Sequence, residues 1–473
     1  SDVYKRQEYI KEHKLMIALS IFLFAFALLL MLFLRMDIDY FWHFKAGEYM
    51  VNHGEILTKD VFSWSLFHYP WMSHEWLFEV FIYGLSLLCG KFHLFVYTFS
   101  FVLLLLFFLF FIQKKEYLKN IPFSLVWISF FSLIFIGISG RPQLIGFFLL
   151  ALSLWLISYY FYHPQSKRIY FLPIIGFIWA NVHGGSSNLV YLLCLIVCFA
   201  GTFSFSCSKI EASRLSRQQI ITYLVVAFLS ILAITINPHG IKMLFYPYQN
   251  MADSLMLSNI AEWQPSNLNM LSHYVYFVFA FLVLAIMLFS KKKIRFLDLV
   301  LYLFFLYLGL KSIRFWFFSY IAWSFFIFYY IPKRKVDSNT CLMLIIFAFL
   351  FIAVFVTQFS YSKIIETKSL SDDAIDVLKE KRPKRLFNYY DYGAYLIKEN
   401  IPVFIDGRAD LYSKYIYEDY LTMSNLDYGF TKLFDKYQFD YFIVPKKSGI
   451  ASYLQEKCDT IYKDETCIIF KTK

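Results

Sequence analysis

Long runs of apolar residues constrain the fold of this chain more than any other feature of its sequence. Leu94–Ile112 is one such run, and about 18 apolar residues in a row are enough for a helix to cross the hydrocarbon core of a bilayer. Charged residues make up 17% of the 473 residues, whereas soluble globular chains contain roughly 25%. The sequence therefore predicts a polytopic α-helical membrane protein.

The distribution of Lys and Arg predicts which loops are cytoplasmic. The net charge is +11, but the basic residues concentrate in short loops such as 114–119 and 291–295, which is the pattern of cytoplasmic loops. We therefore attribute the positive charge to topology, and we expect no nucleic acid as a partner. The N-terminus is predicted to be cytoplasmic. About 11 transmembrane helices follow, at roughly 14–34, 93–113, 122–139, 143–162, 168–182, 186–206, 219–236, 271–290, 296–310, 313–331 and 341–358.

The apolar stretch Trp76–Cys89 is predicted not to be a span. It has 14 residues, which is short for a helix that crosses a bilayer. Counting it as a span would also place Lys114 and the basic loops that follow on the wrong side. We therefore predict an interfacial or re-entrant helix within a long outer loop, residues 35–92.

A change of composition after residue 358 predicts a second domain. Residues 8–358 form the transmembrane domain in this interpretation, and residues 359–473 form a small C-terminal α/β domain. With eleven spans before it, this domain lies on the extracytoplasmic side. Residues 1–7, SDVYKRQ, resemble translated adaptor sequence, so we expect them to be a sequencing artefact and leave them out of fold reasoning.

Local patterns predict several elements of the C-terminal domain. Ser371–Lys381 has the pattern of a helix, with Ser371 as its N-cap. Three short apolar segments are predicted as strands, namely Pro402–Ile405, Tyr441–Val444 and Cys467–Phe470. Cys458 and Cys467 share this domain and could form a disulfide in an oxidising compartment, although their spacing alone does not decide it.

Polar and ionisable residues collect in the predicted outer turns. Such groups near bilayer depth cost about 2.5–3.5 kcal/mol each at a helix centre, and they are usually paired or functional. Carboxylates can act as a general base or hold a divalent cation, and Arg and His suit a phosphate group. Each residue also has an ordinary interpretation as a cap or an interfacial residue. The candidates are Asp37, Asp39, His43, His74, Glu75, Arg141, His183, Asn237, His239, Glu262 and Arg314.

The motifs DIDYFWH (37–43) and HEWL (74–77) give the chain a resemblance to the GT-C superfamily of membrane glycosyltransferases. That superfamily includes protein O-mannosyltransferases, aminoarabinose transferases and the catalytic subunits of oligosaccharyltransferases. In it, the first span leads into a large outer loop that starts with an acidic motif and contains interfacial helices. The resemblance implies that Asp37 and Asp39 are the catalytic carboxylates. Asp37 aligns better with the superfamily's catalytic Asp, but the base cannot be assigned between the two.

The whole set of motifs resembles a group of bacterial membrane proteins along nearly the full length of the chain. The shared motifs include RPQ, HGG, NPxG and EWQP, together with YDYGAYL (390–396) and VFIDGRADLY (403–412). This resemblance implies the inner (cytoplasmic) membrane of a bacterium as the location. In the last motif, Asp406 and Arg408 are candidates for substrate binding, and a structural pair that holds the turn is at least as good an interpretation.

The function implied by the resemblance is transfer of a sugar from a polyprenyl-phosphate-linked donor on the outer leaflet. The acceptor would be a glycan, a lipid or a protein. Arg141, His183, His239 and Arg314 are the candidates for binding the donor phosphate on chemical grounds. Asp37, Asp39 and Glu75 are the candidate ligands for a divalent cation where one is used. Two alternatives stay open, namely a lipid or polysaccharide transporter or flippase, and a non-catalytic envelope assembly protein.

Overall fold

The computed structural model describes residues 37–112, 139–270, 273–331 and 370–473. The described residues divide into two compact units. The first unit comprises 94–112, 139–247, 261–270 and 273–331. The second unit comprises 37–93, 248–260 and 370–473.

Helices dominate both units. Numbered along the chain, the α-helices are α1 (Tyr40–His53), α2 (Trp76–Cys89), α3 (His93–Ile112), α4 (Gln143–Tyr162), α5 (Leu172–Val182), α6 (Leu189–Gly201), α7 (Arg217–Ile234), α8 (Lys242–Ala252), α9 (Ser254–Asn259), α10 (Tyr274–Phe289), α11 (Phe296–Lys311), α12 (Trp316–Tyr330), α13 (Asp372–Lys381), α14 (Gly393–Lys398), α15 (Ala409–Tyr412), α16 (Tyr417–Asn425), α17 (Phe430–Tyr437) and α18 (Gly449–Lys457). The strands are β1 (Phe205–Ser206), β2 (Ile210–Ala212), β3 (Ile294–Arg295), β4 (Leu386–Asn388), β5 (Tyr441–Pro445), β6 (Cys458–Lys463) and β7 (Cys467–Thr472).

Four helical stretches of the described residues have the length and apolarity to cross a membrane. They are Trp76–Leu105, Gln143–Tyr162, Gly184–Gly201 and Arg217–Ile234. Two shorter apolar helical stretches, Tyr274–Phe289 and Ile313–Ile327, add to them. These helices support a helical membrane protein, but the predicted number of eleven spans is not confirmed.

The bounds of the predicted spans agree with helices in most of the described chain. The predicted spans 14–34, 122–139 and 341–358 lie outside the described residues, residue 139 excepted. The predicted span 168–182 differs, because the α-helix there is only Leu172–Val182, preceded by the 3₁₀ turn Lys167–Phe171. At 1.5 Å per residue this helix is about 16 Å long, which is shorter than a bilayer core.

The predicted interfacial helix 76–89 is a separate helix from the one that follows it. Helix α2 ends at Cys89, and Gly90 has a positive φ of 53°, a conformation that only glycine adopts readily. A 3₁₀ turn, Gly90–Phe92, then leads into α3. The division into units also falls here, after His93. The location of α2 at an outer membrane surface stays a prediction.

The first unit is a bundle of packed helices. Helix α7 packs against α5 and α6, and α12 packs against α4 and α11. A small sheet of order β1-β2-β3 joins two loops of this unit, with β1 antiparallel and β3 parallel to β2. The sequence did not predict this sheet, because strands of two or three residues are too short to show an alternating pattern.

The second unit contains a four-stranded sheet of order β4-β5-β7-β6. Strands β4 and β5 are parallel, and β7 is antiparallel to both β5 and β6. The predicted helix is confirmed as α13, and the hydroxyl of Ser371 accepts the N–H of Ala374 as its N-cap. The predicted strands 441–444 and 467–470 are confirmed as β5 and β7. The predicted strand 402–405 is wrong, since only Val403 forms a bridge, to Ser63.

One hydrophobic core joins the outer loop to the C-terminal region. Trp42, Met50 and Trp71 of the loop are buried together with side chains of 370–473. Trp64 donates its backbone N–H to the carbonyl of Val403 at 2.9 Å. The predicted transmembrane domain includes the outer loop 35–92, and in the structure residues 37–92 belong to the same compact unit as the C-terminal region.

Cys458 and Cys467 are both free thiols. They begin the adjacent antiparallel strands β6 and β7, whose register pairs Cys458 with Thr472 at one end and Lys463 with Ile468, the residue after Cys467, at the other. The two sulfur atoms therefore lie towards opposite ends of the hairpin, and the disulfide considered from the sequence is not formed.

Candidate functional site

The two candidate catalytic carboxylates lie in a turn that leads into α1. A carboxylate oxygen of Asp37 accepts the backbone N–H of Asp39 at 3.1 Å, and the carbonyl of Asp37 accepts the N–H of Tyr40 at 3.1 Å. Asp39 has helical dihedral angles, φ −61° and ψ −20°. The segment is therefore a turn and not the extended strand that would place the two side chains on opposite faces. Asp37 shapes this turn, and Asp39 is its last residue before the helix.

The side chain of Asp39 packs against Gly407 of the DGRAD segment. A Cβ atom added to Gly407 would lie 2.0 Å from Oδ1 of Asp39 and 3.3 Å from the indole Nε1 of Trp42. Only a residue without a side chain fits such a close approach. Among the described residues, the buried Nε1–H of Trp42 has no hydrogen-bond acceptor. The structure thus brings two motifs that are about 370 residues apart into one location.

A buried imidazole lies between two carboxylates one helical turn further on. Nε2 of His43 is 3.4 Å from Glu75, and Nδ1 is 3.2 Å from Glu79. His74 is 3.4 Å from the other oxygen of Glu75, and the hydroxyl of Ser73 donates to Glu79 at 2.7 Å. A neutral imidazole has one N–H, so only the protonated ring can donate to both carboxylates. This cluster fixes the start of α1 against α2.

The close packing of α1 on α2 explains why these side chains meet. His43 and Gly47 are four residues apart on α1, and Glu75 and Glu79 have the same spacing at the start of α2, so each pair lies on one helical face. A Cβ atom on Gly47 would lie 2.0 Å from the carbonyl oxygen of Glu79. Glycine at this position therefore lets the two backbones approach.

Arg408 is the centre of a second, fully buried cluster. Its guanidinium donates to both carboxylate oxygens of Asp406, at 2.8 and 2.6 Å, and also to Asp60. The hydroxyl of Tyr412 donates to Asp406 at 2.6 Å. Burial disfavours the charged guanidinium, but the two carboxylates outweigh it and raise the pKa of Arg408 above its ordinary value. The side chains of Arg408 and Asp60 are 0% exposed. This geometry favours the interpretation that the Asp406–Arg408 pair holds the turn over the interpretation that it binds substrate.

Trp71 contacts both the buried Arg408 cluster and Trp42, the aromatic residue beside Asp39. The guanidinium carbon of Arg408 lies 4.8 Å from the centre of the Trp71 ring, within the range of a cation–π contact. The Trp71 ring contacts the Trp42 ring edge-to-face at 5.9 Å. The buried Arg408 network therefore supports the aromatic side chains beside Asp39.

Four predicted residues of the first unit converge in one network. Arg141 donates to one carboxylate oxygen of Glu262 at 3.0 Å, and Arg314 donates to the other at 3.3 Å. Arg314 also lies 3.4 Å from Nε2 of His183. Two guanidinium groups therefore share one carboxylate. The side chains of Arg141 and Arg314 are 16% and 18% exposed, so a ligand can reach them from a partly dehydrated surface.

The contacts of His183 favour one tautomer. A guanidinium can only donate, so the contact from Arg314 makes Nε2 of His183 an acceptor. The ring proton must then lie on Nδ1, which is 2.7 Å from the hydroxyl oxygen of Ser186. That oxygen also accepts the indole N–H of Trp179 at 3.0 Å. In this arrangement His183 contacts Arg314 and helps to orient it.

Asn237 and His239 form a local turn of the first unit. The side-chain carbonyl of Asn237 accepts the backbone N–H of His239 at 2.7 Å, and its amide donates to the carbonyl of Ile234 at 2.5 Å. Gly240 follows with φ +56°. These bonds end α7 in the way that the sequence pattern NPHG allows.

The candidate metal ligands do not form a metal site. Across residues 37–112, 139–270, 273–331 and 370–473, no group of three or more His, Cys, Asp and Glu side chains has a suitable arrangement for a metal ion. Asp37, Asp39 and Glu75 therefore do not form such a group.

Several residues of these clusters were missed in the sequence. Asp60, Glu79, Tyr412 and Gly407 lie in or beside the motifs that were noticed, and for Asp60, Tyr412 and Gly407 no local pattern indicates these contacts. Glu79 carried one usable signal, since it is a lone acidic residue within the apolar helix Trp76–Cys89 and such a residue is usually paired.

Comparisons with known proteins place the fold. No family model and no curated protein sequence matches this chain. The crystal structure of the oligosaccharyltransferase of Archaeoglobus fulgidus, tethered with an acceptor peptide containing the NVT sequon, is similar with a TM-score of 0.55 and 12% identity, over 98% of this chain and 75% of that chain. The apo form of that enzyme gives a TM-score of 0.55 and 10% identity, over 90% of this chain and 69% of that one.

These similarities, together with the apolar helices, identify a membrane protein with a GT-C-like fold. At such low identity they establish the fold alone. The relation to the bacterial group and to O-mannosyltransferases stays a prediction.

Proposed function

We propose that this chain is a membrane glycosyltransferase of the bacterial inner membrane. It transfers a sugar from a polyprenyl-phosphate-linked donor to a glycan, lipid or protein acceptor on the extracytoplasmic side. The observation that carries the proposal is the convergence of Arg141, His183, Glu262 and Arg314 from four separate turn motifs, in a chain whose fold is GT-C-like.

The arginine pair suits the phosphate of the donor. When the sugar leaves, the bond between its anomeric carbon and a phosphate oxygen breaks, and negative charge develops on that oxygen. Guanidinium groups bind phosphate oxygens through charge-assisted hydrogen bonds. Arg141 and Arg314 are held by Glu262 and His183, so they need little reorganisation when the charge forms.

The carboxylate turn suits activation of the acceptor. The acceptor's nucleophile forms the new bond to the anomeric carbon, and its proton passes to a carboxylate that acts as a general base. We assign this role to Asp39, because Asp37 already holds the turn through the N–H of Asp39. The buried indole N–H of Trp42 lies beside Asp39 and is a suitable donor to an acceptor oxygen.

A transfer assay tests the proposal. The full-length protein, in detergent or nanodiscs, is given polyprenyl-phosphate-linked radiolabelled sugars and a mixture of envelope acceptors. The variants Asp37→Asn/Asp39→Asn and Arg141→Gln/Arg314→Gln are each expected to lower product formation by about 100-fold or more, since a general base and an electrostatic stabiliser each contribute at this level. Lys311→Gln is the matched control, because Lys311 is an exposed cation of the same turn as Arg314.

Two outcomes would count against the proposal. Undiminished product formation by the Asp37→Asn/Asp39→Asn variant would rule out the carboxylate mechanism. Movement of labelled lipid across a proteoliposome bilayer with no product formed would favour the transporter alternative.

A further inference from the structure

A groove in the second unit is lined by side chains that belong to neither carboxylate cluster. It is lined by Trp64, Lys384, Arg385, Lys436 and Tyr437, and its volume is about 410 Å³. This volume falls in the range of pockets that hold small organic ligands. None of the five side chains belongs to the Asp39, Arg408 or Arg141 networks, so the groove has no part in the proposed chemistry.

The aromatic side of the groove is rigid. The indole N–H of Trp64 donates to a main-chain carbonyl of β4 at 3.0 Å, and the hydroxyl of Tyr437 donates to Asp419 at 2.6 Å. Both rings contact Phe404, at centroid distances of 5.6 and 4.9 Å. Lys436 pairs with the same Asp419 at 2.7 Å. Because these side chains are already ordered, a ligand would lose little affinity to their immobilisation.

The basic side of the groove presents the side chains of two cationic residues, Lys384 and Arg385. The carboxylate of Asp440 accepts the backbone N–H groups of Lys384 and Arg385, at 2.7 and 2.9 Å, and so fixes the chain that presents them. The guanidinium of Arg385 donates to the carbonyl of Tyr437 at 3.4 Å. Within the described residues, neither Lys384 nor Arg385 forms an ion pair with a carboxylate. The two side chains therefore give the groove a net positive charge.

The combination of flat rings and unpaired cations selects a class of ligand. Aromatic faces pack against the C–H faces of sugar rings, while guanidinium and ammonium groups bind carboxylates and phosphates. We propose that this groove binds the acidic sugar residues of a glycan, with the rings contacting the sugar and Lys384 and Arg385 contacting its negative charge. The choice of a saccharide rests on the proposed function, for which the groove would recognise an acceptor.

Binding measurements test this without any transfer reaction. Full-length protein in a neutral detergent is titrated calorimetrically with trigalacturonic acid, phosphorylated maltotriose, neutral maltotriose and triglutamate. We expect at least one acidic sugar to bind more tightly than both neutral maltotriose and triglutamate. Tighter binding of trigalacturonic acid would indicate a carboxylated glycan, and tighter binding of phosphorylated maltotriose would indicate a phosphorylated one. Lys384→Gln/Arg385→Gln should weaken this binding by about ten-fold or more, because it removes both charged groups that contact the negative charge of the sugar.

The matched control is Lys463→Gln/Lys471→Gln, which removes two exposed cations from β6 and β7 of the same unit. An equal loss of binding in this control would show non-specific attraction and overturn the proposal. Tighter binding of triglutamate than of either acidic sugar would point to a peptide partner and also overturn it, as would no binding of either acidic sugar.

The catalytic variant separates this proposal from the proposed function. Asp37→Asn/Asp39→Asn leaves the groove intact, so its affinity for the acidic sugar should equal that of the wild type. A wild-type protein that binds acidic sugars through the groove but transfers no sugar would refute only the proposed function.

Discussion

The proposed choice between the two candidate carboxylates rests on single residues. The sequence pointed to both Asp37 and Asp39 because two acidic residues follow the first predicted span, but it could not choose between them. The choice depends on a turn, in which Asp37 accepts the N–H of Asp39, and on contact with Gly407. Both are properties of the folded chain. In a sequence, a glycine after an Asp indicates a tight turn. The packing of a distant carboxylate against that glycine leaves no signal in the local sequence.

Substitution of Gly407 by Ala is expected to impair sugar transfer without unfolding the protein. The new methyl group would lie 2.0 Å from the present position of Oδ1 of Asp39, so the carboxylate must move. A displacement of about 1 Å near a reacting group costs on the order of 100-fold in rate. The measurement is the transfer rate, together with the thermal unfolding midpoint.

Gly84→Ala is the control for this substitution. Gly84 lies within α2 of the same unit, and a Cβ atom there would meet no atom within 4 Å. Ala is also the better helix former, by about 1 kcal/mol. Full activity of Gly407→Ala would show that the carboxylate does not depend on this contact.

Secondary-structure elements were predictable where a local signal sufficed. Helix α13 has a Ser N-cap and acidic residues in its first turn, and both signals are visible in the sequence. Strand β4 has three residues and exists because it pairs with β5, which the sequence cannot show. The segment 402–405 is apolar and Val403, Phe404 and Ile405 are fully buried, but burial does not require a ladder of hydrogen bonds. The apolar run therefore predicted correctly that this segment is buried, but it predicted wrongly that the segment forms a strand.

The hairpin of β6 and β7 is expected to lose stability in acid through Asp464. Its carboxylate is partly buried, which raises its pKa, but hydrogen bonds from Ser371, Cys467 and Thr466 outweigh burial and lower the pKa below its ordinary value of 3.8. The stabilisation is therefore complete above about pH 4 and is lost as the pH falls through the lowered pKa. Asp464→Asn should destabilise the protein by about 1 kcal/mol at pH 7.

Thermal unfolding at pH 7 and pH 3 measures this effect. The difference between wild type and Asp464→Asn should shrink at the lower pH, because protonation removes the advantage of the carboxylate. Asp459→Asn serves as the control, since Asp459 is exposed on β6 of the same hairpin. A difference that is the same at both pH values would show that the charge of Asp464 does not stabilise the turn.

At the scale of the whole molecule, the sequence predicted the class of protein better than its division into units. Apolar runs predicted helices whose bounds agree with α3, α4 and α7, since such helices depend mainly on local composition. The boundary at residue 358 follows a change in composition, but composition does not show which segments share a core. Residues 37–93 join the C-terminal region because their buried side chains, Trp42, Ala46, Met50, Leu57, Leu66 and Trp71, pack into it.

The region 370–473 is therefore expected not to fold by itself. Burying a large apolar side chain contributes about 1.5–3 kcal/mol, so loss of these loop residues removes on the order of the 5–15 kcal/mol by which a domain is stable. Expressed alone, the region should unfold without a cooperative transition and bind a hydrophobic dye. A fusion of 37–93 to 370–473 through a flexible linker, kept in detergent because of α2, should recover a sigmoidal transition. Cooperative unfolding of 370–473 alone would show that its core does not need the loop.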